Sequence, residues 1–236
     1  MLSLYEPDAL VVESVRFPAG RFRLEGELVY PETSLPRGAA VLAGPYPLPV
    51  GNMHNNVVRG LGDGLARHGL VTLRFNYRGA GASEGQAADV AEHLAQFRAT
   101  SHAPDEESYR DDLAGAAAFL RSVVGPVSPL ALVGYGFGCT LLPATVRTVG
   151  GAAPLVLVAP GVGTHDYGAF EDVENPKLVI APEGDFAADA GRLARWFDGL
   201  PAPKELVRPR LDSHFFRGHE HWLLATVGTF LNGEWR

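Results

Sequence analysis

Hydrophobic positions follow two different patterns along the chain. Near the N-terminus, apolar and polar residues alternate. The segments 11–17 and 21–30 are rich in β-formers and are joined through Pro18-Ala19-Gly20. In the second segment Phe22, Leu24, Gly26, Leu28 and Tyr30 share one face. Period-two alternation predicts antiparallel strands here. From residue 39 onward the pattern changes to short, mainly apolar strand candidates at 39–43, 70–75, 129–133, 155–159 and 178–181, with 204–207 a further segment beyond the helical stretch at 190–197. Between them lie stretches of helical period. Val57, Val58, Leu61 and Leu65 form one stripe; Leu113, Ala116, Ala117, Leu120, Val123 and Val124 form another. The apolar run 139–149 follows, then Ala190, Leu193, Ala194 and Phe197, and finally Trp222, Leu223, Thr226, Val227 and Phe230.

Short apolar strands alternating with amphipathic helices predict a mostly parallel sheet covered on both faces, with each helix making a right-handed crossover. The expected architecture is a single doubly wound α/β domain over residues 1–236, with eight strands of which only the first runs antiparallel to its neighbours. No repeat, low-complexity tract or linker interrupts it. The one long irregular stretch is 85–109, which includes the polar, Pro-broken Ala99-Thr100-Ser101-His102-Ala103-Pro104-Asp105-Glu106-Glu107. It follows the fourth expected strand. Ligands bind outside the carboxyl ends of strands in open α/β sheets, so this loop is expected to border the pocket.

Composition narrows the function classes. With 46% hydrophobic and 20% charged residues, the 236-residue chain is globular. Its 28 Gly and 18 Pro follow no period, which excludes collagen and points to many tight loops. A net charge of −7 without a Lys/Arg cluster argues against nucleic-acid or polyphosphate partners. One cysteine excludes an internal disulfide framework and a Cys-rich zinc site. The opening Met1-Leu2-Ser3-Leu4-Tyr5-Glu6-Pro7-Asp8 has neither a basic nor an apolar leader region, and no apolar run could span a bilayer. The expectation is a cytoplasmic monomer or homodimer that acts on a small molecule without cofactor, metal or membrane.

The segment richest in chemical information is Ala131-Leu132-Val133-Gly134-Tyr135-Gly136-Phe137-Gly138-Cys139-Thr140, a strand, a Gly-rich turn and a helix. A dinucleotide loop needs Gly-x-Gly-x-x-Gly and a carboxylate ~20 residues later. Here the third Gly comes one residue early, and Gly150-Gly151-Ala152-Ala153-Pro154 offers no acid. The spacing instead matches the nucleophile elbow Gly-x-Ser-x-Gly, with Gly136 where the serine would be.

Other segments support that reading. Gly44-Pro45-Tyr46-Pro47-Leu48, Gly51-Asn52-Met53-His54-Asn55-Asn56-Val57-Val58, the strand-four signature Leu73-Arg74-Phe75-Asn76-Tyr77-Arg78-Gly79-Ala80-Gly81-Ala82-Ser83-Glu84-Gly85, and Ser213-His214-Phe215-Phe216 appear in this order. Together they resemble the α/β-hydrolases, and within them the small lid-less bacterial members with an HPHP-type loop. The resemblance implies an α/β-hydrolase fold and a triad in the order nucleophile, acid, histidine. It puts the acid at Asp185, at the end of Pro176-Lys177-Leu178-Val179-Ile180-Ala181-Pro182-Glu183-Gly184-Asp185, where Pro182 stands in place of the family's usual Gly. It puts the histidine at His214. It implies an oxyanion hole built from the Phe137 N–H and from Tyr46 or Leu48, since Pro45 and Pro47 have no N–H to give. Tyr135, His54 and Phe215 are expected around the pocket.

Gly136 has no side chain, so acyl-enzyme chemistry at the apex is excluded. Three readings follow. In the first, a His214–Asp185 dyad acts as general base, either on water in ester or lactone hydrolysis or on the substrate in lyase, isomerase or cyclase chemistry. In the second, the protein is a non-catalytic relative that binds a ligand or partner. In the third, it is a conventional serine esterase carrying an introduced inactivating substitution.

The remaining candidates read as structural. Cys139 lies three residues past the apex and is expected to be a buried helix residue. Gly79–Gly85 has the wrong spacing for a phosphate cradle, and Glu84 would repel phosphate. His219, Glu220 and His221 stand at the expected start of the last helix and lack the His-Glu-x-x-His spacing of a metal site. Asp111 and Asp112 are expected to place negative charge in the first turn of their helix.

Overall fold

A computed structural model describes residues 9–48, 51–100, 106–126, 128–149 and 153–234. Eight strands form one sheet in the order β1-β2-β4-β3-β5-β6-β7-β8. They are β1 (Leu10–Ala19), β2 (Phe22–Pro31), β3 (Gly38–Ala43), β4 (Leu70–Phe75), β5 (Leu130–Tyr135), β6 (Leu155–Val158), β7 (Lys177–Ile180) and β8 (Lys204–Val207). From β4 through β8 every pairing is parallel, while β2 pairs antiparallel with both β1 and β4. The reversed strand is therefore the second, which corrects the expectation that only the first would be antiparallel. The hairpin is also tighter than expected. Pro18 and Ala19 pair with Arg23 and Phe22, so the turn consists of Gly20 and Arg21, with Gly20 at φ +57°.

The strands β3 to β7 are buried on both faces, while β8 at the sheet edge is only partly buried. Successive residues point to opposite sides. Val41, Leu132 and Leu157 enter one core, while Leu42, Val133 and Val158 enter the other. The helices α1 (Asn56–Arg67) and α6 (Glu220–Glu234) cover the second core through Val57, Leu61, Leu65, Leu223, Val227 and Phe230. The helices α3 (Tyr109–Val124) and α4 (Leu142–Val149) cover the first through Leu113, Ala116, Leu120, Leu142 and Val146, and Leu193 of α5 (Ala190–Gly199) joins them.

Two local readings change. Within 85–109, residues Val90–Thr100 form a helix, α2, rather than an irregular loop, and Glu106–Ser108 form one 3-10 turn. Asp89 caps α2, its carboxylate accepting from the N–H groups of Ala91 (2.8 Å) and Glu92 (3.1 Å). Positions 101–105 of the polar stretch lie outside the described residues. Asp112 is not simply a helix-start charge. Its fully buried carboxylate accepts from the Arg78 N–H at 2.8 Å and from the Arg78 guanidinium at 2.5 and 2.8 Å.

The strand-four signature holds the loops beside the site. Arg74 bridges Glu27 (2.6 Å) and Asp63 (2.5 Å). The Asn76 side-chain oxygen accepts from the Met53 N–H at 2.8 Å, and the Tyr77 hydroxyl donates to the Gly44 carbonyl at 3.1 Å. Glu84 accepts from the Arg23 N–H at 2.8 Å, so Gly79–Gly85 is tied into the sheet edge. Among the described residues, no helix is long and apolar enough to cross a membrane.

Candidate active site

The carboxyl ends of β3, β5, β6, β7 and β8 each lead into a loop at one rim of the sheet. β5 ends at Tyr135, and the chain turns sharply at Gly136, whose φ is +55°. The 3-10 segment Gly136–Leu141 then leads into α4, so the helix proper starts later than the apolar run suggests. Space accounts for the flanking glycines. A Cβ on Gly138 would collide with the Ala43 carbonyl, and one on Gly134 would stand 2.7 Å from the Cys139 backbone. The apex differs. A Cβ on Gly136 would find only His214, with Nε2 at 3.5 Å and Cε1 at 3.9 Å. Packing therefore excludes side chains at 134 and 138 but not at 136.

His214 follows β8, and Asp185 follows β7. The His214 Nδ1 lies 2.9 and 3.0 Å from the two Asp185 carboxylate oxygens. A carboxylate only accepts, so Nδ1 carries the proton and Nε2 faces the apex. Asp185 is held in turn, with its Oδ1 accepting from the Ala187 N–H at 2.8 Å, and its side chain is only 1% exposed. The Pro182 carbonyl accepts from the Asp185 N–H at 3.3 Å.

The site opens on a cavity of about 390 Å³. Pro45, Tyr46, Leu48, Gly136, Phe137 and His214 line it together with His93 and Leu94 of α2, Gly161, Thr164 and His165 from the loop after β6, and Phe186 and Ala187 beside Asp185. Tyr46 packs edge-on against Phe137, their centroids 5.0 Å apart. The Leu48 N–H donates to the Tyr46 carbonyl at 2.8 Å and so is already engaged within its own loop.

The other expected pocket residues fall in different places. Tyr135 lies behind His214, donating its hydroxyl to the His214 carbonyl at 3.3 Å, and burial pushes its hydroxyl pKa up. Phe215 stands at the rim, edge-on to His214 at 5.5 Å and beside the exposed Phe186. His54 lines a separate cleft with Glu25 and Asn76 and faces Glu27 at 3.9 Å. It does not reach the His214 cavity, because the 51–55 turn points it toward β2. Cys139 is fully buried, its thiol donating to the Val158 carbonyl at 3.6 Å, and burial drives its pKa far upward. Among the described residues, no group of three or more His, Cys, Asp or Glu side chains could hold a metal ion.

Sequence reasoning missed His165 and Glu106. They are distant in the chain, yet Nδ1 of His165 meets Glu106 Oε1 at 2.9 Å. Neither belongs to a spacing motif, and the only available signal was the expectation that 85–109 borders the pocket.

No protein-family model matches the chain, and no curated protein does. Solved structures do. A Xanthomonas campestris protein described as an a/b serine hydrolase without lid is 25% identical, with 96% of this chain and 95% of that chain covered and a TM-score of 0.74. An alpha-beta serine hydrolase homologue from Coxiella burnetii is 24% identical, covering 91% and 94% at a TM-score of 0.72. A dienelactone hydrolase from Anabaena variabilis shares the fold at 17% identity and a TM-score of 0.70, covering 95% and 98%.

Proposed function

We propose that this chain, by its fold a member of the α/β-hydrolase superfamily, is a hydrolase that delivers water directly to the carbonyl of an ester or lactone. The observation that carries the reading is a His214–Asp185 pair held at 2.9 Å and aimed at an apex that has no nucleophile. A pure binding module has no need of an oriented imidazole–carboxylate pair, which supports catalysis over ligand binding alone.

The serine position lies within ordinary contact distance of His214 Nε2. A water hydrogen-bonded to Nε2 occupies the place of the serine hydroxyl. Neutral His214 takes a proton from that water as its oxygen attacks the carbonyl carbon, and Asp185 stabilises the resulting imidazolium and keeps its orientation. The charge that develops on the carbonyl oxygen is met by backbone donors. The Phe137 N–H is the first amide past the apex. The second donor comes from the opposite loop, the Tyr46 or Leu48 amide, of which the Leu48 N–H also donates to the Tyr46 carbonyl at 2.8 Å. The apolar lining of Phe137, Leu94, Leu48 and Phe186 suits an ester with a hydrophobic acyl or alcohol group.

No covalent intermediate forms in this scheme. Intact-mass spectrometry during turnover of p-nitrophenyl acetate is expected to show only the unmodified protein. An acyl adduct on any residue contradicts direct water attack.

A further inference from the structure

The cavity holds a second histidine–carboxylate pair. His165 lies on the loop after β6, and its backbone is fixed by a hydrogen bond from its N–H to the Gly161 carbonyl at 3.1 Å. Its ring packs against Phe137, the residue next to the apex, with centroids 6.2 Å apart. Glu106 Oε1 accepts from Nδ1 at 2.9 Å, and both side chains are largely buried, at 13% and 18% exposure. At His214, too, a carboxylate takes Nδ1, that of Asp185 at 2.9 Å. His165 and His214 line the same cavity, with Gly136 and Phe137 between their loops. The cavity's other titratable side chains are Tyr46 and His93, and Nδ1 of His93 lies 2.7 Å from the Asp89 carbonyl.

We propose that His165, oriented by Glu106, is the general acid of this site and protonates the leaving alcohol. The assignment rests on the hydrolytic reading above. Direct attack by water places two proton transfers at two ends of the substrate. His214 takes a proton from the attacking water, whose oxygen bonds to the carbonyl carbon and gives a tetrahedral oxyanion. When that oxyanion re-forms the carbonyl, the carbon–oxygen bond to the alcohol breaks and its electron pair goes to the leaving oxygen. Imidazolium His165 supplies the proton from Nε2 to that oxygen. The products are the carboxylic acid and the alcohol; His214 then releases its proton to solvent, and His165 regains one. A serine enzyme uses one histidine for both transfers because its two half-reactions occur in turn. A site without the acyl-enzyme gains from a separate acid at the far end of the scissile bond.

The test compares wild type, His165→Gln and His214→Ala on p-nitrophenyl acetate and ethyl acetate. p-Nitrophenolate leaves without a proton, whereas ethoxide does not. His165→Gln is expected to lose ~10²–10⁴-fold on ethyl acetate and to change little on p-nitrophenyl acetate. Equal losses on both esters, or none on either, overturn the assignment. If His165→Gln does not fold, Glu106→Gln carries the same comparison, with the same leaving-group split expected and its absence overturning. His214→Ala separates the two claims. Full activity in that variant alongside a split in His165→Gln removes His214 as the base and keeps His165 as the acid. If wild type hydrolyses neither ester, the hydrolytic reading fails, and diethyl pyrocarbonate decides on His165 by itself. Carbethoxylation of both His165 and His214, mapped by peptide mass, supports two imidazoles open to one cavity. An unmodified His165 beside a modified His214 overturns it.

Discussion

At the scale of the residue, Gly136 is the position where local physics and the site's chemistry separate. Its backbone keeps φ at +55°, the left-handed region that a side chain resists. Its neighbours at 134 and 138 are glycine because no Cβ fits, yet a Cβ at 136 meets only His214. Gly136→Ser is therefore expected to fold and to lose about 1–2 kcal/mol of stability to backbone strain, readable by urea unfolding. A loss beyond about 4 kcal/mol would mean that the apex has no room for a side chain. The turn at Gly136 was legible in the sequence, because its glycine spacing follows an apolar strand. The pairing of Asp185 with His214 was implied by the resemblance of their two loops to the α/β-hydrolases. His165 and Glu106 were not, because their meeting depends on the β6 loop and the turn before α3 converging at one rim, which no short-range pattern encodes.

At the scale of the element, buried polar pairs fix the loops that carry the site. The signature residue Arg78 lies early in the loop after β4 and pins the start of α3 through Asp112. Burial pushes the Asp112 carboxyl up, against the downward pull of Arg78. Removing the guanidinium leaves an uncompensated buried charge, so Arg78→Ala is expected to cost about 3–5 kcal/mol at neutral pH. The sign with pH follows from the raised pKa. In the window between the unfolded and folded values, the folded carboxyl binds more proton than the unfolded one, so stability falls as pH rises through it. The deficit of Arg78→Ala should shrink on acidification as Asp112 takes up its proton. A deficit independent of pH would place the cost elsewhere. The strands and most helices were legible from their periods, but α2 was not. Its cap at Asp89 was overlooked in favour of the polar, Pro-broken stretch that follows. The reversed strand was assigned to β1 instead of β2, since alternation marks a half-exposed hairpin without saying which strand joins the parallel set.

At the scale of the whole molecule, one sheet gathers loops from five strands at a single rim, where a cavity of about 390 Å³ sits over the β5 turn. The parallel strands have their carboxyl ends on the same side, so residues as distant in sequence as Tyr46 and His214 line one space. The fold holds Asp185 and His214 in hydrogen-bonded register beside Gly136. The account therefore stands on His214 acting as a base in its own right. The most direct measurement is the rate of p-nitrophenyl acetate hydrolysis by wild type and His214→Ala, side by side and with matched folding by circular dichroism. The variant is expected to lose ~10²–10⁴-fold. Equal rates for the two proteins, zero included, would contradict it.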